Sequence, residues 1–202
     1  MTDVELSDGS LLEIRPLRAE DKAGLAAGFE RLSALSRYRR FLSPTPHLSA
    51  RQLAYLTEVD HHDHEALVAV EPASREGLGV ARYVRSREDP EEAEFAVAVA
   101  DDWQRRGLGT LLLRHLAARA REEGITQITG LVLGSNEPVR HMLETLGDVR
   151  RRNAGDGTVE VWLQIPEHPL ADEQGRLAGW MRAAATGQLD TRLREARGDP
   201  SG

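Results

Sequence analysis

The clearest chemistry in this chain lies in Val99-Ala100-Asp101-Asp102-Trp103-Gln104-Arg105-Arg106-Gly107-Leu108-Gly109-Thr110, which joins an apolar segment to a strongly amphipathic one. The first N–H groups of a helix have no internal partners and carry partial positive charge. Gly107 and Gly109 remove the side chains that would keep an anion away, and Arg105 and Arg106 add charge. Together these residues suit a pyrophosphate at a helix N-terminus. The loop has neither the Gly-Lys-Ser/Thr ending of a Walker loop nor the G-x-G-x-x-G spacing of a Rossmann turn.

The elements around the loop follow from periodicity. Ala93 to Val99 reads as a strand rich in alanine and valine with little alternation, expected to be buried on both faces. Gly107 to Glu123 reads as a helix, with Leu108, Leu111, Leu112, His115, Leu116 and Ala120 recurring at three and four and Gly124 ending it. Upstream, Leu11–Leu17 reads as a strand, Ala19–Leu32 and Ser33–Phe41 as helices, and Ser49 as the cap of a helix running to about Glu58. Glu65–Val70 and Leu78–Val84 are strands. Ile125–Leu133 is another, Asn136–Leu146 a helix, and Thr158–Ile165 a final strand. The order predicts an α/β (mixed α+β) domain over residues 1–166 around a mixed sheet. Pro166 and Pro169 mark a boundary to a polar tail, 167–202, expected to be partly helical or disordered.

Val99 through Gly109 resembles the acetyl-CoA signature of the GNAT superfamily of N-acetyltransferases, Val-x-x-x-x-Gln-x-x-Gly-x-Gly, and the element order over residues 10–165 is similar too. Asn136 to Gly147 is similar to that family's second motif. Leu35–Phe41, Val59–Ala69, Gly79–Tyr83 and Ala93–Phe95 look most like the catalytic domain of bacterial Pat-type protein lysine acetyltransferases. In that group the domain is often fused to a nucleotide-binding or synthetase-like region, and no such region fits within these 202 residues.

The resemblance implies the GNAT fold: a central, largely antiparallel mixed sheet, splayed at the acetyl-CoA site, with helices on both faces. It implies that the main chain of Val97, Ala98 and Val99 pairs with the pantetheine arm and polarises the thioester carbonyl. Gln104, Arg105, Arg106, Gly107, Leu108, Gly109 and Thr110 would cradle the diphosphate. Asn136 caps its helix, touches the pantetheine, or does both. Glu94 matches the position at which Pat-type enzymes place a glutamate, and is the candidate general base. The alternative for Glu94 is a solvated carboxylate in the acidic run Glu88, Asp89, Glu91, Glu92. Many relatives carry a tyrosine acid where this chain has Leu143, so no general acid is evident. The implied activity is acetylation of a lysine side chain of a protein, an acyl-CoA synthetase being the typical kind of target. A small-molecule amine as acceptor and a non-catalytic acyl-CoA-binding regulatory module are the alternatives.

Composition limits the other classes. A net charge of -7 disfavours a general nucleic-acid role, since the phosphate backbone demands a basic surface. The absence of cysteine excludes disulfides, zinc–thiolate sites and a thiol nucleophile, and fits a cytoplasmic protein. The polar N-terminus and the lack of a long apolar run point away from a membrane. His61-His62-Asp63-His64-Glu65 invites a metal reading, but adjacent residues straddling a loop and a strand start cannot easily converge on one ion, so no metal is expected. Arg37, Arg39 and Arg40 are either a solvated helix face or a recognition surface for an acidic protein substrate. A monomer or a homodimer is expected.

Overall fold

The computed structural model describes residues 2–166, so the expected tail at 167–202 lies outside the described residues. Eight strands form one sheet in the order β1-β2-β3-β4-β5-β6-β8-β7. They are β1 (Thr2–Glu5), β2 (Leu11–Pro16), β3 (His64–Val70), β4 (Gly77–Arg85), β5 (Glu92–Val99), β6 (Gln127–Leu133), β7 (Val149–Gly155) and β8 (Thr158–Gln164). Every pairing is antiparallel except β5 with β6. The helices are α1 (Lys22–Arg31), α2 (Ala34–Phe41), α3 (Ala50–Thr57), α4 (Leu108–Glu122) and α5 (Glu137–Glu144). No helix among the described residues is long and apolar enough to cross a membrane.

Side-chain alternation in β4 and β5 separates two faces. A Cβ built on Gly79 would meet Leu112 of α4, and Val99 lies beside Gly109 at the start of α4. Val80, Arg82 and Ala98 instead line a cavity with residues of α1, α2 and α3. Odd positions therefore face α4 and even positions face α1–α3.

α4 closes its face with Leu108, Leu112, Leu113, Leu116, Ala117 and Ala120, all buried. The stripe runs through Leu113 and Ala117, whereas the sequence pattern put Leu111 and His115 on it; both of these are half-buried at its margin. On the other face Leu17, Ala66, Val68 and Val70 form a smaller cluster with Leu25, Val59 and Val80.

Local chemistry explains the helix starts. Ser49 and Gln52 form a capping box at α3, and Ser33 accepts from the Ser36 N–H at α2. Two strands escaped the sequence reading. β1 is short and polar. In β7 every residue after Val149 is exposed, with Arg150, Arg151 and Arg152 in its middle, so it carries no apolar alternation. It is an edge strand, joined to β8 by a hairpin whose central residues, Asp156 and Gly157, both have positive φ.

Candidate functional site

The site begins where β5 and β6 part. Their parallel register covers only Glu92↔Gln127, Ala93↔Ile128 and Glu94↔Thr129. At the root of the opening, the Phe95 ring lies so close to the β6 main chain that a Cβ on Gly130 would come within 2.8 Å of it. Only glycine at 130 admits the ring there. β5 is therefore not buried on both faces as its composition predicts. Ala93 and Phe95 are buried, Glu94 is exposed, and residues 96–99 are half-exposed along the opening.

Two bonds fix which way the β5 main chain points. Ser86 N–H donates to Glu92 O (2.8 Å) and Ala100 N–H to Leu78 O (2.9 Å). With the register running from Arg85↔Ala93 to Gly79↔Val99, the even residues of β5 bond to β4. Phe95, Val97 and Val99 turn their N–H and C=O groups toward the opening. Ala98 turns its own toward β4. Of the three residues Val97, Ala98 and Val99, the outer two thus face the opening with their main-chain groups. Val99 O already accepts from Gln104 Nε2 at 3.1 Å.

The loop after β5 is a shaped cradle. Arg105 and Gly107 have φ of 61° and 87°, with Arg106 between them outside that region. Such alternation turns successive N–H groups inward, making an anion-binding concavity at the start of α4. A Cβ on Gly107 would meet nothing, so its glycine serves the φ angle; a Cβ on Gly109 would lie 3.3 Å from Met142 Sδ, so that glycine serves close packing against α5. Leu108 is fully buried and anchors the turn, while Thr110 is half-buried in the first turn of α4.

Arg106, Gln104 and Asp101 hold the loop's shape, while the Arg105 side chain is exposed. Arg106 donates to Asp8 Oδ2 (2.6 Å) and Ser10 Oγ (2.7 Å) and lies 4.0 Å over the Trp103 ring. The Arg106 hydrogen bond, with others from Ser10, lowers the Asp8 pKa to about 2. Gln104 Nε2 also donates to Ser36 Oγ and Asp101 Oδ1, each at 3.0 Å. Asp101 accepts from Ser33 N–H (2.6 Å), Ser33 Oγ (3.1 Å) and Ser36 Oγ (2.5 Å). Burial raises its pKa, but these bonds more than offset that and the net shift is downward. Asp101, Ser33 and Ser36 thus latch α2 to the cradle. Only the Ser33 cap hints at this in the sequence, because the contact joins positions 68 residues apart.

Asn136 departs from expectation. It is 5% exposed, yet its side chain makes no cap hydrogen bond to α5. Its φ of -84° and ψ of 67° are unlike an N-cap whose side chain reaches N2 or N3. The side-chain amide makes no hydrogen bond to another group among the described residues. Leu143 is fully buried, so no side chain of α5 offers an acid at that position.

The histidine loop does not converge. His61 Nδ1 meets Glu65 Oε1 at 2.7 Å, and His62 Nδ1 meets Glu123 Oε2 at 2.5 Å. His64 Nε2 accepts from Arg82 Nη1 at 3.0 Å. Burial and then the Arg82 charge push the His64 pKa down to about 4, so it stays neutral near pH 7. The three arginines of α2 also separate. Arg37 is structural: it donates to Leu32 O, Pro46 O and Glu30 O and covers the Phe29 ring at 4.7 Å. Arg39 Nε is buried without a hydrogen-bond partner among the described residues, and Arg40 lines the cavity.

A sheet opened beside one strand, followed by backbone N–H groups turned inward at a helix start, could hold an extended donor with a diphosphate. The profile of the Acetyltransferase (GNAT) family matches residues 32–148. The chain belongs to the GNAT family of acetyltransferases, enzymes that use acetyl-CoA. It is 35% identical over 155 residues to an acetyltransferase of Pseudomonas aeruginosa, covering 76% of this chain and 83% of that one. It is 34% identical over 149 residues to the acetyltransferase Pat of Mycolicibacterium smegmatis; that match covers 72% of this chain but only 44% of the relative. The crystal structure of the GNAT domain of S. lividans PAT superposes with a TM-score of 0.75 at 32% identity, covering 81% of this chain and 96% of that domain.

Proposed function

We propose that this enzyme transfers the acetyl group of acetyl-CoA to a lysine side-chain amine of a protein, with Glu94 as general base. The observation that carries the reading is the end of the β5–β6 pairing at Glu94. An exposed carboxylate thus lies at the root of the opening, on the same strand as the main-chain edge that Val97 and the Val99 N–H turn toward it. Lysine as the acceptor rests on the likeness to Pat.

The residues present suit the donor. The free edge of β5 would take the pantetheine amides, and the N–H groups of residues 105–110 the diphosphate. The unbonded Asn136 amide would add a contact. Acetyl-CoA supplies a carbonyl activated by its thioester. A main-chain N–H of β5 stabilises the charge that builds on the carbonyl oxygen.

The amine nitrogen forms the new C–N bond as the C–S bond breaks, and its proton goes to Glu94 directly or through water. A lysine with a pKa near 10.4 is mostly protonated at neutral pH; freeing its lone pair at pH 7 costs about 4.6 kcal/mol. A positioned base offsets part of that cost. CoA leaves as a thiolate, tolerable because thiol pKa values lie near 8.5, roughly where no strong acid is required.

The experiment is incubation of the enzyme and acetyl-CoA with candidate proteins, an AMP-forming acyl-CoA synthetase among them, read by mass spectrometry. Acetyl-lysine on protein is expected, and Glu94→Gln is expected to lower kcat by about 10²–10⁴-fold with CoA binding retained. Acetylation of free small amines alone would sink the lysine assignment. Binding without turnover, unchanged by the substitution, would leave a regulatory module instead.

A further inference from the structure

A cavity of about 110 Å³ lies between β3–β5 and α1–α3, on the face opposite α4. Its wall is mainly apolar, yet four arginines line it: Arg15, Arg75, Arg40 and Arg82. Two of these are neutralised within the fold. Arg15 makes a two-pronged bond to Asp21 at 2.8 and 2.7 Å, and Arg75 is paired with Glu13. The other two have no carboxylate within salt-bridge distance among the described residues.

Arg82 is 4% exposed and bonds only to neutral groups, Leu56 O (2.8 Å) and His64 Nε2. Arg40 is half-buried with its guanidinium 4.8 Å from the Phe41 ring centre. Burial lowers the pKa of both, and each feels charged neighbours: Arg82 feels Arg40, and Arg40 feels Glu94. Desolvating two like charges in one mainly apolar cavity is costly unless something anionic joins them.

Where they sit says which ligand. Glu94, Ala96 and Ala98 share one face of β5, and across β4 the register pairs Ala96 with Arg82. The anion cradle begins α4, on the opposite face. The donor's diphosphate and the two arginines therefore lie on different sides of the sheet, and an acceptor reaching Glu94 meets the arginines.

We infer that Arg40 and Arg82 form a subsite for a carboxylate that the acceptor carries beside its amine. The inference rests on the proposed role of Glu94 and names the acceptor's class: a lysine flanked by an acidic residue. The guanidinium fork fits a carboxylate with paired N–H groups.

The test compares two peptides that differ only in Glu against Gln next to one lysine, at saturating acetyl-CoA. The wild-type enzyme is expected to favour the glutamate peptide by about tenfold in kcat/KM, the scale of one charge-assisted hydrogen bond. Arg40→Gln is expected to bring that ratio to within about twofold of one, and Arg40→Lys to retain part of it, since the charge survives. Melting curves check that both variants are folded. Equal rates for the two peptides in wild type, or a ratio untouched by Arg40→Gln, overturn the subsite and leave lysine acetylation standing. If no peptide reacts but free amino acids outpace their amides in an Arg40-dependent way, the lysine assignment fails and the subsite holds. If Arg40→Gln changes only the use of succinyl-CoA against acetyl-CoA, the carboxylate belongs to the donor and the inference is wrong.

Discussion

The two faces of the sheet are built on different terms. The α4 face is closed: six buried side chains of one helix lie over β3, β4 and β5, and glycines are placed where a methyl group would collide. The α1–α3 face is open: three short helices surround a cavity, and buried arginines stand where the other face has leucines. On the proposed reading, the closed face holds a constant donor, which tolerates rigidity, and the open face receives a variable acceptor, which needs space and charge. The contrast is testable by making equivalent changes on each side.

The largest effect is expected from glycine substitutions. A Cβ at Gly79 would sit 3.0 Å from Leu112 Cδ1 and 3.1 Å from Ala98 O, one of them main chain. Gly79→Val is expected to destabilise the protein by about 1–3 kcal/mol, as overpacking does. Gly24 lines the cavity within α1, and a Cβ there meets nothing within 4 Å. Gly24→Ala is expected to stabilise by about 0.5–1 kcal/mol, through helix propensity alone. Urea denaturation of both variants checks this, and equal shifts of the same sign would erase the distinction between the faces.

The same contrast governs what the sequence makes legible. The cradle, α4 and the strand before it are local: glycines, a helical stripe and an apolar run all lie within the continuous segment Glu92–Glu122, so spacing exposes them. The family signature sits there as well. The proposed acceptor face draws Arg40 from α2, Arg82 from β4 and Glu94 from β5, and no periodicity links these positions. The run of arginines in α2 looks uniform, yet Arg37 is spent on main-chain carbonyls while Arg40 lines the cavity. Asn136 illustrates the opposite error. Asparagine before a helix invites a cap, but its side chain makes no hydrogen bond to the helix N–H groups. β7 was invisible because an exposed edge strand needs no apolar alternation.

The next effect sharpens the donor side. Gly107 has a φ of 87° with open space where a Cβ would go, so Gly107→Ala tests conformation without collision. It is expected to cost about 1–2 kcal/mol for forcing an L-residue into the left-handed region. The loop would relax away from its cradle shape, so acetyl-CoA affinity by calorimetry should fall while cavity-side properties hold. Asp101→Ala removes the latch to Ser33, Ser36 and Gln104. Because those bonds are largely exposed, stability should drop by only about 1 kcal/mol, with the KM for acetyl-CoA rising several-fold. A stability loss with KM unchanged would mean the latch holds α2 and not the cradle.

The smallest effect probes the charge of the open face. His64 accepts a hydrogen bond from Arg82 and is neutral in the fold, with its pKa lowered from 6.5 to about 4 by burial and then by that arginine. Between these values the unfolded chain binds a proton that the folded chain refuses. Stability from this site is therefore complete above pH 6.5 and is lost as pH falls toward 4. The slope is best read from pH 6.5 to 5, before Asp60, Asp101 and Glu123, all with lowered pKa values, take up protons. His64→Gln keeps an acceptor for Arg82 and removes the titration, so its denaturation midpoint should vary less with pH across that window. Arg82→Met should act in the same direction by a different route. With the neighbouring cation gone, His64 can hold its proton in the fold, its pKa moves back toward 6.5, and the slope shrinks. If Arg82→Met leaves the slope of the wild type intact, burial alone depresses His64, and the Arg82 charge is weaker on this face than the unpaired arginines imply.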